Sequence, residues 1–138
     1  MKREKENIVK KFAAVVIILL FAAGVVYARD YEVTKKAGAY QATVRIDKNP
    51  PITGDNGMAV KIKDASGRDV TDAAVKVEYS MPAMPGMPAM TYKANAALSG
   101  TEYRTKVNFP MSGAWNVSLK ITRGGKPLPS VRFNVDVH

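Results

Sequence analysis

Gly113-Ala114-Trp115-Asn116-Val117-Ser118-Leu119-Lys120-Ile121 is the stretch whose reading decides the fold. From Trp115 onward every second residue is apolar (Trp115, Val117, Leu119, Ile121), and the residues between them are polar (Asn116, Ser118, Lys120). A strand with one face buried and one face wet needs this period of two, whereas a helix would bring apolar residues back after three or four. The turn Met111-Ser112-Gly113 precedes it, and Arg123-Gly124-Gly125-Lys126 follows it as a hairpin signal.

The same alternation extends in both directions. Downstream, Val131, Phe133, Val135 and Val137 form a last strand. Upstream, Tyr103, Thr105, Val107 and Phe109 are closed by Pro110, and Tyr92, Ala94, Ala96 and Leu98 hold a weaker pattern closed by Ser99-Gly100. Further back come Val75, Val77 and Tyr79, then Met58, Val60 and Ile62, then Tyr40, Ala42, Val44 and Ile46. Turn chemistry separates them at Asn49-Pro50-Pro51, at Thr53-Gly54-Asp55-Asn56-Gly57 and at Asp64-Ala65-Ser66-Gly67-Arg68-Asp69. About seven strands with no helical pattern after residue 30 predict an all-β fold, an antiparallel two-sheet immunoglobulin-like sandwich spanning residues 40–138. The chain has no cysteine, so "immunoglobulin-like" describes architecture and carries no disulfide.

Before residue 40 the pattern changes. Lys2, Arg3, Lys5, Lys10 and Lys11 stand against Glu4 and Glu6, and residues 12–27 are apolar and uncharged. A basic region followed by an apolar run predicts export, with residues 1–28 acting as a hydrophobic helix that is either a cleaved signal peptide or a retained membrane anchor. Val26-Tyr27-Ala28 fits a signal-peptidase site, and the sixteen-residue run is slightly short for a comfortable span, so both readings stand. In either case the remainder is delivered outward, to a periplasmic or other extracytoplasmic location. Residues 29–39, polar and weakly periodic, read as a tether.

The net charge of +9 falls to +6 once the first 28 residues are set aside. The remaining bases alternate with apolar residues, as in Lys61-Ile62-Lys63 and Arg104-Thr105-Lys106. That spacing belongs to the wet face of strands, and with export it excludes nucleic acid as the expected partner. Enzymatic chemistry is poorly supplied. The single histidine is His138, which reads as a loose end, and Asp64, Asp69 and Asp72 lie where aspartate ordinarily bonds its own turn. Trp115 reads as a core anchor.

One segment departs from all of this. In Met81-Pro82-Ala83-Met84-Pro85-Gly86-Met87-Pro88-Ala89-Met90, methionine recurs at every third position, and four of the seven methionines in the chain fall in these ten residues. Proline excludes a helix and extends the residue before it. Two geometries fit. Polyproline II would set the thioethers about 9 Å apart along one edge, whereas Pro85-Gly86 at the corners of a type II turn would bring Met84 and Met87 together. Thioethers are soft, neutral ligands that favour Cu(I) or Ag(I) and bind without losing a proton. Met81, Met84, Met87 and Met90 are therefore the candidate metal ligands, with Met111 as a fifth from the neighbouring turn. The competing reading is an adaptable apolar strip that packs or docks.

In the order of these features the chain resembles the YtkA-like and FixH-like family of small exported or membrane-anchored bacterial domains. The resemblance rests on the N-terminal hydrophobic segment, on Val77-Glu78-Tyr79-Ser80-Met81-Pro82-Ala83-Met84-Pro85-Gly86-Met87, on residues 103–109, and on Gly113-Ala114-Trp115 with the strand after it. It implies a β-sandwich and a setting of heavy-metal efflux or assembly of copper-containing membrane complexes. The function expected is soft-metal binding in efflux or delivery, with a transporter or respiratory complex as partner. The alternative is a metal-free accessory domain docking its methionine loop on a membrane complex.

Overall fold

The computed structural model describes residues 29–138. The expected signal peptide or anchor, residues 1–28, lies outside the described residues; among those described, no helix is long and apolar enough to cross a membrane. Nine strands form: β1 (Tyr31–Ala37), β2 (Tyr40–Ile46), β3 (Gly54–Lys63), β4 (Ala73–Met81), β5 (Met90–Ser99), β6 (Glu102–Phe109), β7 (Gly113–Arg123), β8 (Lys126–Pro127) and β9 (Val131–Val137). Every pairing is antiparallel, in the order β1-β2-β3-β6-β5-β4-β7, with β8 and β9 both on the far side of β7.

The all-β, antiparallel expectation holds, but the pairing does not separate into two sheets. β5 is the reason. Its residues 90–96 pair with β4, from Met81↔Met90 to Val75↔Ala96, and its last three pair with β6, from Ala97↔Arg104 to Ser99↔Glu102. One strand thus carries the ladder round a corner, and the result is a nearly closed, barrel-like sheet. The remaining gap lies between β1 and β9, where the Tyr31 hydroxyl donates to the Asn134 carbonyl at 3.2 Å and the Tyr31 ring stacks on Phe133 at 6.4 Å.

Two further expectations are corrected. Residues 31–37, read as tether, form β1 and pair along the whole of β2 from Tyr31↔Ile46 to Ala37↔Tyr40. Ala37 is fully buried and Tyr31 and Val33 pack against the core, so a weak alternation in a lysine-rich edge strand suffices when a neighbour supplies the ladder. His138 is not a loose end. Its N–H donates to the Pro51 carbonyl and its own carbonyl accepts from the Thr53 N–H, both at 2.9 Å.

The inward-facing residues meet in one core in which Trp115, Tyr103, Phe109, Ile46, Ile62 and Leu119 are the largest buried side chains. Its polar members are all satisfied. The Tyr103 hydroxyl donates to the Val70 carbonyl at 2.9 Å and accepts from the Ala73 N–H at 3.0 Å, fastening the β3–β4 connection. The Asn56 side chain accepts from the Ile52 N–H and donates to the Ile52 and Gly54 carbonyls, fixing the β2–β3 connection.

Because neighbours alternate in direction, the loops sort to two ends. The start of β1, the β2–β3 connection, the β4–β5 hairpin, the β6–β7 turn and the end of β9 share one end. The opposite end carries the β1–β2, β3–β4 and β5–β6 turns and the turn after β7.

Candidate functional site

The methionine segment is the β4–β5 hairpin. Its arms begin at the Met81↔Met90 pair, and its tip closes at a bridge between Met84 and Met87, whose N–H groups donate to each other's carbonyls at 3.0 and 2.9 Å. Pro85 and Gly86 are the two corner residues. Gly86 has φ of +80°, the left-handed value required at the third position of a type II turn and accessible to glycine without strain. Of the two geometries open to the sequence, the turn is the one adopted.

This divides the four methionines. β4 ends at Met81 and β5 begins at Met90, so residues 82–89 project beyond the strands and every one of them is exposed. Exposure follows: Met81 is 3% exposed, Met84 is 43% and Met87 is 36%. Met84 and Met87 form an outer pair at the projecting tip, and residues directly opposite in a ladder hold their Cβ atoms about 5 Å apart. Met81 and the half-buried Met90 form an inner pair at the root.

The inner pair rests on aromatic rings. Tyr79 stacks on Tyr92 at 5.6 Å, and Tyr79, Phe109 and Trp115 pack mutually at 5.4–6.1 Å between centroids. The Tyr92 hydroxyl donates weakly to the Met90 sulfur at 3.8 Å. Trp115 is fully buried, as a core anchor should be, and its indole N–H donates to the Met111 carbonyl at 3.0 Å. Gly113 lies two residues after Met111, and a Cβ there would sit 3.0 Å from the Met81 methyl. The absent side chain lets Met81 pack down on the β6–β7 turn, so Met81 and the turn bearing Met111 meet at Gly113.

The arrangement brings Met84 to Met87, Met81 to Met90, and the Met111 turn to Met81. It does not place all five in one equivalent environment. Met81, expected with the loop, instead ends β4, where it continues the inward alternation of Val75, Val77 and Tyr79 and is buried. Among the described residues, no group of three or more histidine, cysteine, aspartate or glutamate side chains is placed to hold a metal. The three aspartates weighed in the sequence have separate duties: Asp64 accepts from the Ser66 hydroxyl and N–H and from the Arg68 N–H, Asp69 faces Lys61 at 3.8 Å, and Asp72 faces Arg123 at 2.9 Å. The Ser66 hydroxyl, followed by the Arg68 N–H, holds the Asp64 carboxyl below its ordinary range. The donors that remain on the exposed turn, the thioethers of Met84 and Met87, are soft and neutral, a type that suits a soft monovalent ion and not a hard divalent one.

Fold and hairpin together define a small antiparallel β domain that presents a methionine-proline turn at one end. The chain belongs to the YtkA-like family, whose pattern matches residues 34–120. Two solved structures share the fold. The soluble domain of PmoD from Methylocystis sp. (Rockwell) aligns with a TM-score of 0.51 at 13% identity, covering 76% of this chain and 96% of that one. FetP from a uropathogenic E. coli strain, expressed in the periplasm, aligns with a TM-score of 0.51 at 9% identity, covering 78% and 95%. No curated protein sequence matches the chain.

Proposed function

We propose that the protein is an extracytoplasmic soft-metal carrier that takes up Cu(I) or Ag(I) between Met84 and Met87. The observation that supports this reading is the reciprocal backbone bridge between those two residues, which sets two methionines opposite each other across one exposed turn. Two neutral donors hold a monovalent ion without deprotonation and leave coordination positions free for a donor on another molecule, which suits capture and hand-over. Met81, Met90 and Met111 sit behind the tip as a second rank of sulfur. Export is supported by the basic and apolar N-terminal sequence, and family membership is consistent with metal efflux or delivery to a membrane complex. The role is non-enzymatic: the one histidine is His138, at the same end of the barrel but tied by its backbone to Pro51 and Thr53.

Competition for Cu(I) against a chelator under reducing conditions tests the reading. The Met84→Leu/Met87→Leu variant keeps volume and apolarity while removing sulfur, so it should lose the competition that the wild type wins. Equal competition by both proteins would end the proposal. A second reading, a metal-free accessory domain docking on a membrane complex, is favoured by the exposure of Met84 and Met87. It requires the leucine variant to retain function in cells and the tip to crosslink to a protein neighbour.

A further inference from the structure

The methionine hairpin lies at the end of the barrel where β1 begins, and this bears on what that end faces. β1 starts at Tyr31, so only Ala28, Arg29 and Asp30 separate it from the apolar run at residues 12–27. Three extended residues reach about 10 Å. The segment that would have served as a long tether is instead part of the barrel. If the apolar run is lodged in a bilayer, the end carrying the start of β1 cannot move far from the surface. The opposite end is displaced by the length of a seven-residue strand, about 23 Å.

The side chains at the two ends differ in the sense this requires. Among the described residues, the exposed large apolar side chains are Ile52, Met84, Met87, Tyr92 and Leu98. Ile52 lies in the β2–β3 connection after Pro50-Pro51, Met84 and Met87 form the hairpin tip, and Tyr92 is two residues in from Met90; all four are at or near the end where β1 begins. Only Leu98 lies toward the other end; charge does not separate the two, since Asp47, Lys48 and Asp55 flank Ile52 as Asp64, Arg68, Asp69 and Asp72 stand in the turns opposite, so the asymmetry is one of apolar tips. Apolar loop tips on a domain held at a membrane gain by entering the interfacial region, where their apolar surface leaves water.

We propose that residues 12–27 remain as an anchor and that the barrel sits tip-down on the bilayer, with Ile52, Met84 and Met87 in the lipid interface. This does not depend on metal. It assigns the hairpin a lipid surface as its neighbour, so a recipient of any cargo would be membrane-embedded.

Because the chain has no cysteine, single cysteines report position cleanly. The full chain carrying Ile52→Cys, Ala83→Cys or Leu98→Cys, each labelled with an environment-sensitive fluorophore, is reconstituted in phosphatidylethanolamine–phosphatidylglycerol vesicles containing spin-labelled lipid. No metal is added, so the outcome is separable from that of the Cu(I) competition. Quenching at positions 52 and 83 should be several-fold stronger than at 98. Equal quenching at the three sites, stronger quenching at 98, or none at 52 and 83 would overturn the proposal. So would a mature chain, isolated from cells and weighed intact, that begins at Arg29.

Discussion

Gly113 is where a single missing side chain does most for the site. Its φ of +128° lies in a region that L side chains rarely adopt, and the Met81 methyl occupies the space a Cβ would need. Of these two obstacles the backbone one dominates, because a methionine terminus can shift cheaply and a strained φ cannot. Gly113→Ala should therefore lose about 1–3 kcal/mol in urea unfolding, and a loss below about 0.5 kcal/mol would mean the turn relaxes freely. Glu78 gives a second test, in pH. The Lys120 ammonium, 3.1 Å away, holds its carboxyl below the usual range, with Lys93 and Lys76 adding to the effect. A depressed folded value means that the contribution is present above the unfolded pKa and lost as pH falls through the folded one. Glu78→Gln should thus lower the urea midpoint at about pH 7 and converge with the wild type once the pH has fallen below the depressed Glu78 value. A gap that persists at the lower pH would assign the loss to packing.

At the scale of the element, the hairpin is governed by its corner. An alanine at Gly86 meets the left-handed penalty of about 1–2 kcal/mol, and the tip projects from the barrel, so the cost falls on local opening. Gly86→Ala should leave the global unfolding midpoint in place while speeding amide exchange at Met84 and Met87 roughly 5–30-fold, with Cu(I) affinity falling in parallel. Unchanged exchange would show that Pro85 alone holds the turn. This corner was half legible in the sequence: Pro85-Gly86 offers a type II turn, but the every-third methionine repeat fits polyproline II as well, and the Met84–Met87 bridge decides between them. The weaker alternation of Tyr92, Ala94, Ala96 and Leu98 was enough to mark β5, and the six strands with strong alternation were legible from local pattern too. β1 was not, because Lys35 interrupts its apolar face and its order comes from β2. The double pairing of β5 was also hidden: small residues such as Ala94, Ala96 and Ala97 permit it, but which neighbour each one meets depends on residues far away in sequence. The division of the methionines into inner and outer pairs likewise needed the register, because every third position reads alike until the ladder fixes which rungs face the core.

The barrel as a whole depends on a strand that sequence alone assigns to a linker. β1 covers the edge of β2, buries Ala37, and brings Tyr31 against Phe133 and Asn134 of β9, where the two ends of the sheet approach each other. Without it, β2 would present a row of free N–H and C=O groups beside Ala42, Val44 and Ile46, and the side of the core beneath Val33 and Ala37 would open to water. A chain beginning at Tyr40 should accordingly be on the order of 3 kcal/mol or more less stable than one beginning at Arg29, as expected for removing several apolar side chains from the core, and should associate through the uncovered edge. Urea unfolding and sedimentation of the two chains measure this directly. Equal midpoints, with both chains monomeric, would show that residues 29–39 are dispensable to the fold, and the short link that holds the methionine end near a membrane would then lengthen by the whole of β1.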